Sequence, residues 1–511
     1  MRLIGDIIRL NAKRYPDKTA VIMDDRSMTY KQINTEANRL ARGLCASGIK
    51  PGDKVAILAF NCIEYPVLVY GIAKSGAVLV PLNFRYKKDE LVYSVNNSEP
   101  AVLFYGTEFT GLLEEARQEF TTAVRTIAIG RDDGKDVAGL MDGQSVEEPD
   151  VEIDPESPFA IMYTSGTTGF PKGTLFSHSA YIEIFEGMAY EGDLRHDDIA
   201  LVCIPLFHNG GLNGVLQPVL MVGGTCVVMS KGFDAEKVLD VVQNHRVTMT
   251  MWVPTQLTML INFPDVSRWD TSSLKKIYYG SSAITPATLE GSMKVFGNVG
   301  FYQWYGQVET GMVSVLRPED HIEYSQCTGR EMFNADIRIV DENGNDVGEG
   351  ESGEIISARK PLGMIGYYRM DDANSAAMQD GWIHTGDVAR VEGNGYFTIV
   401  DRIKDLIISG AENIYPKEIE DVLSRYEGVL EAAVFGIPDE VYGEAVCAAV
   451  VAKRGYELQE KEIIDFCASK LSGYKKPKKV VFLEELPKNA NGKVTKTVLR
   501  EPYWAGRNRR I

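Results

Sequence analysis

Short apolar runs alternate with longer amphipathic stretches over the first 300 residues. Apolar residues at helical spacing predict helices over residues 3–14, 29–47 and 61–75. Compact apolar runs predict buried strands at residues 20–23, 55–59, 78–82 and 159–162. Strands that alternate with helices in this way form parallel sheets covered on both faces. The pattern therefore predicts an α/β fold with two parallel-sheet αβαβα subdomains.

The pattern changes after residue 330. Short alternating strands at 337–340, 353–357 and 395–400 are separated by Asn- and Gly-rich turns, which is typical of a small antiparallel, β-barrel-like subdomain. The last hundred residues mix helices and strands and predict a compact α+β domain. We predict an N-terminal domain over residues 1–402, with subdomains of about 1–150, 151–330 and 331–402, and a C-terminal domain over 403–511.

Charge narrows the range of partners. The 511-residue chain has a net charge of −17, which argues against nucleic acid as its partner. After Lys404 there are 17 basic and 17 acidic residues, so the first 404 residues carry the whole excess. From Tyr474 onward there are 11 basic and 3 acidic residues, which indicates either an anionic ligand or a solvated lysine-rich face.

Cysteine usage points to a reducing compartment. The seven cysteines include no CxxC pair, which favours a cytoplasmic location over a disulfide framework or a zinc site. The six histidines form no cluster along the chain. No apolar stretch is long enough to span a bilayer, and no signal peptide is visible.

Segment 163–173 (YTSGTTGFPKG) is the strongest chemical signal. It follows a predicted buried strand and combines four Ser/Thr hydroxyls, three glycines and Lys172. Glycine-rich backbone can turn its N–H groups toward phosphate oxygens, hydroxyls add donors, and lysine balances the negative charge. Pro171 and Gly173 flank the lysine, so the segment is not a Walker A loop. It predicts a polyphosphate-binding loop, with a glycine-rich surface turn as the alternative.

Segment 164–172 also resembles the phosphate loop of the adenylate-forming superfamily, which includes acyl- and aryl-CoA synthetases, peptide-synthetase adenylation domains and firefly luciferase. The resemblance extends over nearly the whole chain, through segments 205–211, 251–255, 279–284, 302–310, 380–387, 401–405, 406–414 and 487–494. Three positions depart from the family pattern. Segment 281–284 (SSAI) replaces a Gly-Gly-Ala-Pro loop, Gln307-Val308 replaces Met-Thr, and Ala411 replaces a glycine.

The resemblance implies a role for individual residues. It assigns ATP or AMP binding to Thr164, Ser165, Gly166, Thr167, Thr168, Gly169, Lys172, Ser281, Ser282, Ala283, Tyr302, Tyr305, Gly306, Thr310, Asp387, Arg402 and Lys493. It assigns the acyl pocket to His208, Asn209, Trp252, Val253, Ser281 and Gly306. It assigns the CoA side to Ser409, Gly410 and Ala411, to which the basic C-terminal stretch adds Lys475. It expects Lys493, Lys172, Glu309 and His208 to take part in catalysis.

Several of these residues have an ordinary structural alternative. His208 and Trp252 could be packed core residues, and Asp387 could be an Asx turn. Glu309 differs, because a carboxylate beside a polyphosphate loop makes sense only with a cation between them. We therefore expect Mg²⁺ on Glu309, with Thr168 as its second ligand by resemblance.

The implied activity is that of an ATP-dependent acyl-CoA ligase with ATP and Mg²⁺ as cofactors and CoA as co-substrate. A medium- or long-chain, alicyclic or aromatic carboxylic acid would be adenylated and then transferred to the CoA thiol. The C-terminal domain would rotate about Lys404 between the two steps. A stand-alone enzyme that loads a carrier protein and a non-enzymatic nucleotide-binding protein are the alternatives, and a homo-oligomer is compatible with the sequence.

Overall fold

The computed structural model describes residues 1–130, 136–164, 171–230, 233–409, 412–488 and 494–505, with Glu412 and Asn413 described by their backbone alone. Its α-helices span Ile4–Arg14, Tyr30–Ala46, Tyr65–Lys74, Lys88–Ser98, Thr110–Ala116, Val137–Met141, His178–Glu191, Asn209–Gly211, Gln217–Val222, Ala235–His245, Pro254–Ile261, Pro286–Phe296, His321–Tyr324, Asp371–Ala377, Pro416–Leu423, Glu460–Lys470 and Lys496–Trp504. A π-helical turn, Leu212–Leu216, joins two of them. No helix in these ranges is long and apolar enough to cross a membrane.

The first sheet has seven strands, five of them parallel. Their order is Gly366–Tyr367, Gly173–Ser177, Pro158–Tyr163, Val78–Pro81, Lys54–Leu58, Val102–Gly106 and Arg125–Ile129. The first two strands of this order are antiparallel to their neighbours. The helix Tyr65–Lys74 is buried on every side, because it lies between the sheet and the helices Ile4–Arg14 and Tyr30–Ala46.

The second sheet has nine strands with a parallel centre and antiparallel edges. Their order is Arg330–Glu331, Gly311–Leu316, Gly300–Gln307, Lys276–Gly280, Met249–Trp252, Ile199–Val202, Thr225–Val228, Thr19–Met23 and Arg26–Thr29. Val21 pairs with Cys226, so the first strand of the chain belongs to this sheet. The two sheets therefore interleave along the sequence, and the subdomain boundaries stay a prediction.

Two smaller sheets follow. The first joins Ile337–Val340, Ser352–Ala358 and Trp382–Val391, with Met378–Gln379 and Phe397–Arg402 both paired to the last of these. All its pairings are antiparallel, as predicted, and among the described residues no pairing closes it into a barrel. The second joins Glu412–Ile414, Ile407–Ser409, Gly443–Ala452, Val429–Asp439 and Lys479–Phe482. The α/β class and the small α+β C-terminal part are confirmed.

Local sequence explains where elements begin. The helix Tyr30–Ala46 starts at Thr29, whose hydroxyl accepts a hydrogen bond from Gln32 N at 3.2 Å, while the Gln32 side chain accepts from Thr29 N at 2.8 Å. All seven cysteines are free thiols.

Candidate active site

The segment predicted to bind phosphate connects two strands of the seven-stranded sheet. Strands Pro158–Tyr163 and Gly173–Ser177 form an antiparallel pair, and Thr164 N donates to Lys172 O at 2.9 Å where the connection begins and ends. Five predicted ATP ligands fall outside the described residues: Ser165, Gly166, Thr167, Thr168 and Gly169. The described ends therefore fix where the segment leaves and re-enters the sheet.

Tyr367 connects the lysine of this segment with the predicted metal ligand. The Tyr367 hydroxyl donates to Glu309 Oε1 at 2.8 Å, and Lys172 Nζ lies 4.7 Å from the centre of the Tyr367 ring. Burial, together with the Glu309 carboxylate, raises the pKa of Tyr367. The phenol therefore stays protonated and serves as the donor of this hydrogen bond. Sequence reasoning missed Tyr367, because a tyrosine in a two-residue edge strand carries neither charge nor recognisable spacing.

Asp387 is the centre of a second polar cluster. This buried carboxylate accepts hydrogen bonds from Tyr305 Oη at 3.0 Å and from Gln307 Nε2 at 2.7 Å, and it forms a salt bridge with Arg402 Nε at 2.8 Å. Burial acts to lower the pKa of Arg402, but the Asp387 carboxylate outweighs it and the pKa is raised, so the guanidinium stays charged. The structure therefore brings three predicted nucleotide ligands together, and Gln307 joins them.

The turn before Asp387 is held by other side chains. Thr385 Oγ1 accepts from Asp387 N at 3.1 Å, and Glu354 accepts from His384 Nδ1 at 2.8 Å and from Gly386 N at 2.9 Å. Gly386 has φ = 66°, a conformation that favours glycine. Because Thr385 and Glu354 stabilise the turn, the Asp387 side chain is not needed for an Asx turn and its carboxylate faces the cluster.

These residues meet where three sheets come together. Lys172 ends the hairpin of the seven-stranded sheet, Glu309 lies in the turn between two strands of the nine-stranded sheet, and Asp387 belongs to the small antiparallel sheet. Gly306 is required in the strand just before that turn, since a Cβ there would lie 2.0 Å from Gly311 O. The buried Thr310 hydroxyl donates to Gly311 O at 2.9 Å. The role of Thr310 in ATP or AMP binding stays a prediction.

His208 lies at the start of a short helix. Its Nδ1 accepts from Gly210 N at 3.0 Å, and burial lowers the pKa of His208 to about 4, so the ring is neutral at pH 7. Asn209 Oδ1 accepts from Asn213 Nδ2 at 2.7 Å and from Tyr181 Oη at 3.4 Å. A neutral imidazole beside an oriented amide fits the rim of a pocket for an uncharged acyl group, and this role stays a prediction.

Three other predicted site residues, Trp252, Tyr302 and Val253, make contacts of their own. The Trp252 indole is fully buried against Phe296, with ring centres 5.3 Å apart, inside a separate apolar cluster. Tyr302 packs on Tyr278 with ring centres 5.3 Å apart. It lies three positions before Tyr305 on one strand, so the two side chains point to opposite faces of the sheet. Val253 precedes the helix Pro254–Ile261 and donates its N–H to Gln256 Oε1 at 3.0 Å. The structure therefore does not bring Trp252 or Tyr302 to the Asp387 cluster.

The loop after strand Lys276–Gly280 carries a strained residue. Ser281 has φ = 67° and is exposed, whereas the neighbouring Ser282 has no such conformation. Lys417 Nζ reaches this loop and donates to Ile284 O at 3.3 Å, so the C-terminal part contacts it directly. The predicted contacts of Ser281, Ser282 and Ala283 with adenine stay a prediction.

Replacement of Ser281 by glycine is expected to raise the free energy of unfolding by about 1 kcal/mol, because a left-handed backbone costs any residue with a Cβ more than it costs glycine. Urea unfolding would measure the gain. Ser282→Gly is the matched control and should be neutral or slightly destabilising. A Ser281→Gly variant no more stable than Ser282→Gly would show that the loop releases this strain in solution.

Charged residues surround the segment Ile403–Asp405, which follows the strand Phe397–Arg402. Arg500 NH1 lies 3.6 Å from Asp405 Oδ1 and also donates to Lys404 O at 3.3 Å. The preceding Asp401 is buried and accepts from Arg402 N at 2.7 Å. Burial raises the pKa of Asp401 to about 6, although the nearby Lys496 acts against this shift.

The free energy of unfolding is expected to fall as pH rises from about 4 to about 6, because of Asp401. Folded Asp401 binds its proton up to about pH 6, whereas the unfolded chain releases it near its ordinary value of about 3.9. The folded state thus binds more protons than the unfolded state between these pH values. Raising the pH across them lowers the free energy of unfolding by on the order of 3 kcal/mol. Denaturant unfolding between pH 4 and pH 7 would measure it. Asp401→Asn should flatten the dependence, and an unchanged slope in that variant would assign the effect to another group.

The C-terminal part presents aromatic and basic side chains beside the predicted CoA segment. Ser409 pairs with Gly443, which places the exposed Tyr442 next to it, and Lys478 Nζ lies 4.3 Å from the centre of the Tyr442 ring. Lys475 pairs with Glu418 at 2.7 Å. Gly410, Ala411 and Lys493 lie outside the described residues. Sequence reasoning missed Tyr442, because only the folded hairpin brings it to Ser409.

Comparison with known proteins covers nearly the whole chain. A family model described as "AMP-binding enzyme" matches residues 8–368, and one described as "AMP-binding enzyme C-terminal domain" matches residues 418–493. The chain is 36% identical over 509 residues to a fatty acid–[acyl-carrier-protein] ligase of Streptomyces coeruleorubidus, covering 98% of this chain and 96% of that protein. It is 36% identical over 493 residues to a feruloyl-CoA synthase of Amycolatopsis sp, covering 96% of this chain and 97% of that protein. A crystal structure of an anthranilate CoA ligase in complex with anthranoyl-AMP superposes with a TM-score of 0.92 at 27% identity, covering 98% and 97% of the two chains.

Proposed function

Because the chain belongs to the family of AMP-binding enzymes, we propose that it is an ATP-dependent acid–thiol ligase that adenylates a carboxylic acid and transfers the acyl group to a thiol. The observation that carries the proposal is the Lys172–Tyr367–Glu309 arrangement beside the phosphate-binding segment. It supplies a cation and a carboxylate at one place, as the handling of a metal-bound polyphosphate requires.

The first step has to bring two anions together. The acid's carboxylate attacks the α-phosphorus of ATP, the bond to the bridging oxygen breaks, and pyrophosphate leaves. Lys172 is suited to the charge of the departing pyrophosphate, and Lys493 is assigned by resemblance to the charge between carboxylate and α-phosphate. The Asp387 carboxylate suits the ribose hydroxyls, which are hydrogen-bond donors.

Magnesium fits the residues present. Glu309 is half-buried, and only its Oε1 accepts a hydrogen bond from the described residues, so Oε2 remains for a hard cation. No cluster of three or more His, Cys, Asp or Glu residues is found in the described ranges, which suits an ion bound mainly by phosphates and water. Glu309 and Thr168 would hold the ion, which would screen the phosphate charge.

The second step needs a thiol to reach the same carbonyl and release AMP. We propose that residues 403–511 act as a C-terminal domain that moves about Lys404 between the two steps. The boundary is supported by the sheets, since the chain leaves the small antiparallel sheet at Arg402 and enters the C-terminal sheet at Ile407. Ser409, Tyr442, Lys475 and Lys478 would face the acceptor, with their aromatic and basic groups suited to the adenine and phosphates of CoA.

A carrier protein is the second candidate acceptor. The relative from Streptomyces coeruleorubidus is named for acyl-carrier-protein ligation, and the same basic surface would suit an acidic carrier that bears a phosphopantetheine thiol. For the acid we propose a medium- or long-chain, alicyclic or aromatic compound. The neutral His208 and the oriented Asn209 amide support a substrate with an uncharged body.

Pyrophosphate release with ATP and Mg²⁺ tests the proposal. We would measure it across fatty acids of increasing length and aromatic acids, each alone, with CoA and with a phosphopantetheinylated carrier protein. Multiple turnovers with CoA and a thioester product would support the ligase function and identify the acid. Turnover with the carrier alone would support the second candidate. Binding of ATP without release from any acid would contradict the ligase function.

A further inference from the structure

Gln307 replaces a residue that the adenylate-forming family commonly has as methionine, and its amide makes bonds that methionine lacks. Gln307 Nε2 donates to Asp387 Oδ2 at 2.7 Å and to Thr385 O at 2.8 Å. An amide nitrogen has two hydrogens, so both are used. The side chain therefore ties a carboxylate to the backbone of its own strand.

The backbone of Gln307 is itself fixed. Its N–H donates to Thr310 Oγ1 at 3.0 Å, and the preceding Gly306 packs directly on Gly311. The turn that holds the predicted metal ligand Glu309 thus also sets the position of the Gln307 amide. Movement of this amide would require the turn to change.

The hydrogen bonds to Asp387 leave it little freedom. A carboxylate has about four lone-pair directions. Tyr305, Gln307 and Arg402 occupy three of them. The amide and the guanidinium hold one oxygen each, so the carboxylate cannot rotate and presents a defined direction to a ligand.

We propose that Gln307 is a positioning residue that orients the Asp387 carboxylate toward the nucleotide ribose. This inference rests on the proposed function, because it assumes that Asp387 accepts hydrogen bonds from a ribose. Gln307 acts through Asp387 and contacts no reacting atom. Gln307→Met should therefore weaken nucleotide binding about tenfold, the scale of one hydrogen bond to a charged group.

The test is a double-mutant cycle read by calorimetry of AMP binding. We would compare the unaltered protein, Gln307→Met, Asp387→Ala and the double variant. If Gln307 acts through Asp387, its replacement costs about tenfold alone and close to nothing in the Asp387→Ala background, which lacks the acceptor for the Gln307 amide. Equal losses in both backgrounds would overturn the proposal. Gln307→Leu provides a second variant if Gln307→Met unfolds, as monitored by circular dichroism.

Deoxynucleotides give an independent reading. Removal of the ribose hydroxyl that contacts Asp387 should reduce the loss of affinity that Gln307→Met causes. This loss of affinity should therefore be smaller for at least one of 2′-deoxy-AMP and 3′-deoxy-AMP than for AMP. A purely structural role would give the same loss with all three ligands and would overturn the proposal. Failure of the unaltered protein to bind AMP would instead contradict the proposed function itself.

Discussion

Replacement of Lys493 by alanine is expected to slow adenylate formation about a hundredfold or more, the scale of removing one preorganised charge-stabilising group. The loss should be confined to this step, because transfer of the acyl group from adenylate to thiol does not bring two anions together. Single-turnover measurement of each half-reaction, the second with supplied acyl-adenylate, would separate them.

The matched control for this lysine is Lys461→Ala, an exposed lysine on the C-terminal helix Glu460–Lys470. It should change neither half-reaction. If Lys493→Ala slowed both half-reactions equally, the defect would lie in the C-terminal part as a whole rather than in the charge of one side chain.

Glu309→Gln is expected to have the second large effect, lowering adenylate formation about a hundredfold and raising the Mg²⁺ concentration needed for half-maximal rate. The glutamine oxygen can still accept from Tyr367, so stability should change little. Titration of the rate with Mg²⁺ would measure both effects. Glu319→Gln is the control, because that side chain is 66% exposed and lies outside the cluster. An unchanged Mg²⁺ requirement in Glu309→Gln would assign the ion to other ligands.

Local pattern was sufficient to predict the regular elements. The helix Tyr30–Ala46 and the strand Ile337–Val340 lie within one or two residues of the ranges predicted from spacing and turns, because each carries its own cap or turn residues. Sheet membership was not predictable in this way. The strand Thr19–Met23 pairs with Thr225–Val228, and Gly366–Tyr367 pairs with the hairpin at Gly173. Such pairings depend on distant parts of the chain.

The candidate site likewise combines residues that motifs predict with residues that only the folded structure reveals. Motifs located Lys172, Glu309 and Asp387, whose charges and spacing are visible in sequence. They did not reveal Tyr367, whose role depends on its hydroxyl meeting Glu309 across two sheets. The resemblance assigned Tyr305 to nucleotide binding; in the structure its hydroxyl binds Asp387, and its contact with a nucleotide stays a prediction.

Trp252 illustrates the opposite case. The resemblance assigned it to the acyl pocket with core packing as the alternative, and the structure places its ring in a packed apolar cluster with Phe296. Motif position alone does not give the direction of a side chain, because a strand alternates its residues between two faces.

The pairing of Val21 with Cys226 also has a consequence for how the chain folds during synthesis. Ribosomes add about 5–20 residues per second, so the N-terminal strand waits roughly 10–40 s before its partner is made. During that time the edge of the segment Thr19–Met23 has no parallel neighbour and its apolar side chains are exposed to solvent. The growing chain is therefore a natural client for chaperones that hold short apolar segments until translation has passed the middle of the protein.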